Sequence, residues 1–443
     1  MPDKSAEVHV PAQHRPSDPL AAFAADDPRT RRDGIGWVAR AVFPDPRLRL
    51  TVGDHGPAAA RYAVIPALDG ARFLLPLAAR HITAASVLAY NALRPAKVRA
   101  SRAAIGALAR AGALGLTRAP VLSVHAPDGV ELLWNHLAEL MGEPRLHAAI
   151  GIRPPDPHHK PTLQLFDDAG RPRGYAKIGW NDGTRAMVRA EAATLADLPP
   201  AGGDIPWSPR LLLHTTWHDR EIAVIEPMPR GVRRVRRPDV PRIAAMLAVA
   251  RRGGPPATPR PLRGSAFLAG WRRRAAGGTT AAGLALPSID AAAAGLALPS
   301  VDAAIEALDA RDGDLAMEFG DWHGDWVPWN MARHRGRLIV WDWENRATGV
   351  PVGFDLAHQA FQTALSTRGR PAAECAAAMD AALRAYGPAL GLDGPRQRFV
   401  ADAYLVELWL RTYELSADDV GWNPKLHPAL LDVLGNRLSL GQV

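Results

Sequence analysis

Residues 319–344, FGDWHGDWVPWNMARHRGRLIVWDWE, gather one histidine, one asparagine and several carboxylates around two short apolar runs. Asp325 follows His323 and Gly324, Asn330 lies five residues further on, and Asp342 ends the run Leu338-Ile339-Val340-Trp341. That run is short, β-branched and bounded by Arg335-Gly336-Arg337. It is therefore predicted to be a buried strand with Asp342 at its C-terminal mouth and Met331 to His334 as its hairpin partner. A carboxylate able to take the proton of an attacking hydroxyl, beside an asparagine and a second carboxylate that offer hard oxygens to Mg²⁺, suits phosphoryl transfer. In that chemistry, positioning and charge neutralisation do most of the work. The plainer alternative is that Asp325 and Asn330 only cap turns in a Trp-rich loop.

Elements able to position these groups can be read on either side. Leu146 to Ile152, Pro161 to Phe166 and Arg173 to Ile178 are predicted strands, the third carrying Lys177, and a helix from about Asp182 to Leu198 carries Glu191. Ser208 to Trp217 and Glu221 to Met228 are predicted as two further strands. Upstream, Arg61 to Leu68 and Ala71 to Leu77 form a predicted hairpin about Asp69-Gly70, followed by helices over Ala79 to Leu93 and Lys97 to Leu114. Asp128 is the expected N-cap of a helix reaching Met141. Downstream, Ser300 caps a helix that stops at Gly313, and two more are expected near Pro371 to Tyr386 and Pro395 to Glu414.

H-G-D-x-x-x-x-N followed by a hydrophobic strand and D-W-E resembles the catalytic core of the aminoglycoside phosphotransferase and choline kinase-like families, relatives of the protein kinases. The resemblance implies an α+β, two-lobed kinase-like fold with a small β-rich N-lobe and a mostly helical C-lobe. It implies Asp325 as the catalytic base, Asn330 and Asp342 as Mg²⁺ ligands, and ATP or GTP as phosphate donor. His323 would brace the loop. Lys177 and Glu191 suit the strand-lysine and helix-glutamate pair that meets the nucleotide phosphates. The stretch IEPMPRG resembles the hinge between lobes, which implies adenine contacts to backbone near Glu226 and Met228. Asp355, in GVPVGFDLAHQAF, matches an aspartate that helps hold the catalytic loop; a helix N-cap is its other reading. One departure stands out. The loop Arg153 to Lys160 has no glycine-rich cradle, so His158, His159 and Lys160 are either substitute phosphate donors or exposed loop residues.

The expected division is a disordered tail over 1–29, an accessory α+β domain over 30–125, the N-lobe over 126–228 and the C-lobe over 229–443. A twelve-residue duplication occupies 281–304 and reads as a tolerated connection. Chain length leaves room for such a division. No run of eighteen apolar residues is present, so no membrane span is expected. A lone cysteine, Cys375, excludes an internal disulfide, and the cytoplasm is the expected compartment. The net charge of +8 is almost all arginine. The runs Arg230 to Arg237 and Arg272 to Arg274 lack interleaved aromatics, so they read as solvated surface and no nucleic-acid partner is expected. The indoles of Trp322, Trp326, Trp329, Trp341 and Trp343 are read either as a stacking platform for a ring or as core. The expected reaction is transfer of a nucleotide γ-phosphate to a hydroxyl of a small molecule, and a nucleotide-binding regulatory module without turnover is the alternative. No protein partner can be named from the sequence.

Overall fold

The computed structural model describes residues 35–53, 56–68, 70–89, 91–153, 158–199, 204–235, 240–252, 254–280, 300–417 and 426–439. The expected tail, Asp69 of the expected turn and residues 281–299 of the duplication lie outside the described residues.

The chain begins with α1 (Ile35–Val42), then β1 (Arg49–Val52), β2 (Ala60–Ile65), β3 (Phe73–Pro76), α2 (Arg80–Leu88), α3 (Ala96–Ala111), β4 (Val121–His125) and α4 (Leu133–Met141). It continues through β5 (His147–Gly151), β6 (Thr162–Phe166), β7 (Pro172–Gly179), α5 (Asp182–Asp197), β8 (Leu211–Trp217) and β9 (Arg220–Ile225). These strands make one antiparallel sheet in the order β1-β4-β2-β3-β5-β6-β7-β9-β8. The join between its two parts is short: β3 meets β5 at Phe73↔Gly151 and Leu74↔Ile150. Beyond it comes Pro76, which has no N–H to give to a ladder. Alternate side chains of β2, β4, β5, β6, β7 and β9 point to one face, where Val64, Leu122, Ile150, Leu163, Ile178 and Ile222 pack beneath α1 and α4.

Two helical expectations need correction. The helix at 133–141 is capped from Leu132, not Asp128, and its last turn closes on Gly142 at φ 67. The helix expected over 79–93 ends at Leu88, with Asn91–Leu93 as a separate 3₁₀ turn. The first shift follows from tertiary packing, which places the buried Leu133, Trp134 and Leu137 against the sheet; at the second, Arg102 of α3 donates to the terminal carbonyls Val87 O at 2.7 Å and Ala89 O at 2.9 Å.

The second half is mostly helical. After β10 (Arg233–Arg234) come α6 (Ile243–Ala250), β11 (Arg260–Pro261), α7 (Ala266–Thr280), α8 (Val301–Asp312), β12 (Ala316–Met317) and β13 (Phe319–Trp322). Then follow β14 (Met331–His334), β15 (Arg337–Val340), β16 (Ala347–Pro351), α9 (Phe354–Gln362), α10 (Ala372–Tyr386), α11 (Gly394–Ala417) and α12 (Leu426–Leu438). Ser300 caps α8 as expected, its hydroxyl accepting from Ala303 N at 3.1 Å. A broad core unites these helices, with Trp271, Ile305, Trp326, Phe354, Phe361, Phe399 and Leu410 all buried.

Short sheets bracket residues 319–344. β13 pairs with β16, and β14 pairs with β15 on one side and β10 on the other. One stitch ties this region to the segment entering β8. Trp207 N donates to Leu338 O at 2.9 Å, and Val340 N donates to Trp207 O at 3.0 Å.

Candidate active site

The hairpin expected from the sequence is present, in the register Met331↔Val340 to His334↔Arg337. Its open end sets Asn330 opposite Trp341, whose N–H donates to Asn330 O at 3.2 Å. Asp342 follows at φ 65, a left-handed conformation uncommon for a non-glycine residue and typical of constrained sites. The loop from Trp322 to Asn330 turns through Gly324 at φ 80, where a Cβ would come within 2.1 Å of Asn345 O. The glycine of H-G-D is thus required by both conformation and space.

One carboxylate and one ring hold this loop. Asp355, in the first turn of α9, accepts from the backbone N–H of His323 at 2.9 Å and of Gly324 at 3.2 Å. The N-cap of α9 is Gly353, so the capping alternative for Asp355 is set aside. His323 has no exposed surface. Its Nε2–H donates to Trp341 O at 3.1 Å and its Nδ1 accepts from Asp325 N at 3.1 Å. One neutral imidazole therefore fixes the spacing between the segment that carries Asp325 and the segment that carries Asp342. Burial keeps it neutral, lowering its pKa to about 4.

Both oxygens of Asp325 are engaged. Asn330 Nδ2 donates to Oδ2 at 2.7 Å, and His358 Nε2–H donates to Oδ1 at 3.0 Å. His358 is itself oriented by Tyr404, whose hydroxyl donates to Nδ1 at 3.1 Å. Burial opposes the Asp325 charge, but the hydrogen bond from His358, helped by the charge of Arg411, holds the carboxyl down at about 2. Burial also lowers His358, which stays a neutral donor. Asp355 lies on the other side of the balance: burial raises it to about 7 despite its two backbone donors.

The lysine side is built from ions. Lys177, in register between Thr162 and Ala223, places Nζ 2.6 Å from both carboxylate oxygens of Glu191 and also donates to Asp342 Oδ1. Glu191 can reach it because α5 starts at once after β7. Asn181 Oδ1 accepts from Thr184 N at 2.8 Å, Thr184 Oγ1 accepts from Asn181 N at 3.1 Å, and Val188 and Ala192 pack on the sheet. Burial works against the Lys177 charge, but Asp342, Glu191 and Glu344 outweigh it and the pKa is raised. For Asp342, burial is likewise outweighed, here by Lys177, and its pKa is lowered.

No known family profile matches the sequence, and comparison with curated proteins finds no match. Solved structures do. The chain is similar to a thermostable mutant of aminoglycoside phosphotransferase APH(4)-Ia, at TM-score 0.43 and 14% identity over 70% of this chain and 99% of that one. It is also similar to glucosamine kinase in complex with glucosamine, ADP and inorganic phosphate, at TM-score 0.31 and 18% identity over 63% of this chain and 77% of that one. A further glucosamine kinase structure matches at TM-score 0.29 and 16% identity, over 66% and 90% of the two chains. At such TM-scores the function has to be argued from the site itself.

The remaining expected residues are less uniform. Glu226 uses its backbone N–H on Arg210 O at 2.8 Å, so only its carbonyl remains for a ligand. Met228 packs with Trp207, Trp341 and Leu93 at the edge of the β14–β15 sheet. Lys160 is not an exposed loop residue. Its side chain is 12% exposed and Nζ lies 2.7 Å from Glu344 Oε2. Residues 154–157 of that loop lie outside the described residues. The indoles divide: Trp322, Trp326 and Trp343 are buried in the core, while Trp329 is 47% exposed. His358, Tyr404 and Arg411 went unread in the sequence. His358 had a signal, since it follows Asp355 by three residues on one helix and shares its face. Tyr404 and Arg411 had none, because their partners lie far away along the chain.

Proposed function

We propose that this chain is a phosphotransferase that moves the γ-phosphate of ATP or GTP to a hydroxyl of a small molecule. In this proposal residues 126–228 and 229–443 act as the two lobes of a kinase-like unit, with 30–125 as an accessory domain and the cytoplasm as the place of action. The observation that carries it is the convergence of Asp325, Asn330, Asp342 and Lys177 at the mouth of one hairpin.

The donor set fits Mg²⁺. Asn330 is turned by its Nδ2 bonds to Asp325, which leaves Oδ1 as a hard ligand, and Asp342 commits only Oδ1 to Lys177. Among the described residues no cluster of three acidic, histidine or cysteine side chains forms a metal site. Mg²⁺ does not need one, because it commonly takes one or two protein oxygens with substrate phosphates and water. When bound there it would supply charge neutralisation at the phosphates.

Lys177, held ready by Glu191, then contacts phosphate oxygens, and Lys160, held by Glu344, is a second cation on the side where a glycine-rich cradle is missing. Glu226 and Met228 line the adenine side. Asp325 accepts the hydrogen of the acceptor hydroxyl and orients its oxygen. That oxygen bonds to the γ-phosphorus, the bond from phosphorus to the β-bridging oxygen breaks, and the nucleoside diphosphate leaves with the electron pair. A carboxylate with a pKa of about 2 is a weak base. It therefore takes the proton late, when the new phosphorus–oxygen bond has made the hydroxyl acidic, and passes it to water.

The test pairs two near-isosteric variants. Asp325→Asn is expected to keep Mg²⁺-ATP binding by calorimetry while transfer to an acceptor falls roughly 10²- to 10⁴-fold. Asp342→Asn is expected to lose Mg²⁺-ATP binding as well. Equal transfer by Asp325→Asn and wild type would overturn the assignment. Nucleotide binding without any acceptor-dependent ATP consumption would favour a regulatory module.

A further inference from the structure

The helix α11, which brings Tyr404 and Arg411 to the loop of Asp325, has an unusual charge distribution. Glu407, Arg411 and Glu414 are spaced i, i+4 and i+7, so they share one helix face and Arg411 stands within reach of both glutamates. Neither glutamate pairs with it. Arg274 of α7 takes both, through NH1 to Glu407 Oε2 at 2.7 Å and through Nε and NH2 to Glu414 at 2.6 and 3.0 Å. Trp271 Nε1–H adds a bond to Glu407 Oε2 at 2.8 Å. The other buried carboxylate of this helix, Asp402, is neutralised by Arg311 at 2.7 Å and by Arg437.

Arg411 is left with NH1 donating to Gly324 O at 2.7 Å and its guanidinium lying 4.8 Å from the Trp322 ring centroid. It makes no ion pair among the described residues. Gly324 O belongs to the peptide that enters Asp325, so this cation lies beside the proposed catalytic carboxylate. Its field reaches both Asp325 and Asp355. A guanidinium has five N–H donors in a planar fork suited to two-point recognition of carboxylate or phosphate, and one carbonyl engages only one of them. Stacking on an indole leaves the edge of that fork open.

We propose that the acceptor carries an anionic group, a carboxylate or a phosphate ester, close to the hydroxyl that is phosphorylated, and that Arg411 receives it. This rests on the phosphotransferase reading and sharpens it. A cationic amino sugar would find its counter-charges on α11 already occupied by arginines and would meet Arg411 as a like charge.

The experiment titrates the full chain, loaded with Mg²⁺-ADP, with charge-matched probes by calorimetry. Glucuronate and glycerate are the carboxylates, glucose 6-phosphate the phosphate ester, glucose and glycerol the neutral probes, and glucosamine and ethanolamine the cations. At least one anionic probe is expected to bind at least tenfold more tightly than its neutral and cationic matches. Arg411→Gln is expected to erase that preference and Arg411→Lys to restore part of it. The carboxylate and phosphate arms decide between the two anion sources. The inference is overturned if a cationic probe binds as tightly as its anionic match, if no anionic probe binds, or if Arg411→Gln keeps the preference. Should Arg411→Gln fail to fold, the charge order in the wild type decides. In all of these cases, intact Mg²⁺-ATP binding with Asp325-dependent transfer to any acceptor would leave the phosphotransferase reading standing, whereas loss of both would remove it.

Discussion

Lys177 meets Asp342 and Asp325 meets Asn330 at the mouth of one hairpin, and the two are held by opposite means. Around Lys177 every contact is ionic: Glu191 and Asp342 share one ammonium, and Glu344 takes Lys160 nearby. Around Asp325 the donors are neutral, from Asn330 and from a histidine oriented by a tyrosine. The difference suits what each side would have to do. Ion pairs exchange partners when a phosphate and a divalent cation arrive, because each charge finds an equivalent counter-charge. Hydrogen bonds from neutral groups in a buried network have no such replacement, so they keep a carboxylate in one orientation while its neighbours change.

The contrast can be broken most forcefully on the ionic side. Lys177→Met would strand Glu191, which is 1% exposed, with no counter-ion. Such a loss commonly costs about 3–5 kcal/mol, so chemical denaturation should show a large drop in stability together with lost Mg²⁺-ATP binding. Adding Glu191→Gln should recover much of the stability and none of the binding. A single variant as stable as wild type would mean that the pair is solvated and not buried.

On the neutral side a smaller effect is expected, on rate and also on stability, because the buried Tyr404 hydroxyl loses a partner too. His358→Leu removes one hydrogen bond to a charged oxygen, worth about 1.5–3 kcal/mol, so kcat should fall roughly ten- to a hundredfold with Mg²⁺-ATP affinity unchanged. The acid limb of the pH profile should move upward, since Asp325 loses the donor that most lowers it. His358→Gln should restore part of the rate. An unchanged acid limb in His358→Leu would deny His358 a positioning role.

The comparison is sharpened further through pH. Asp355 has its folded pKa raised by burial to about 7, above the ordinary value near 3.9. Between those values the native state keeps a proton that the unfolded state has released. Stability should therefore fall as pH rises from about 4 to 7, by at most about 1.4 kcal/mol per pH unit. His358 acts in the opposite sense, because burial lowers its pKa and stability falls as pH drops below its ordinary value near 6.5. Unfolding free energies of Asp355→Asn and wild type across this range separate the two, and parallel curves would refute the Asp355 contribution.

The sequence by itself determined the hairpin 331–340, the strand that ends before Asp342, and the strand and helix bearing Lys177 and Glu191. The hairpin follows from a short, β-branched apolar run beside an Arg-Gly-Arg turn, whereas the capping box from Asn181 to Thr184 and the left-handed φ at Gly324 are local features that the structure revealed. Tertiary structure alone decided the partners of Asp325. Tyr404 and Arg411 reach the loop from α11, and Arg274 reaches across from α7 to claim the glutamates beside Arg411. It also decided that Lys160 is buried against Glu344 and that three of the five indoles are core. Side-chain charge and helical period are local properties that can be read along a chain. Which opposite charge each one meets depends on how distant helices pack, and no local pattern in the sequence encodes that.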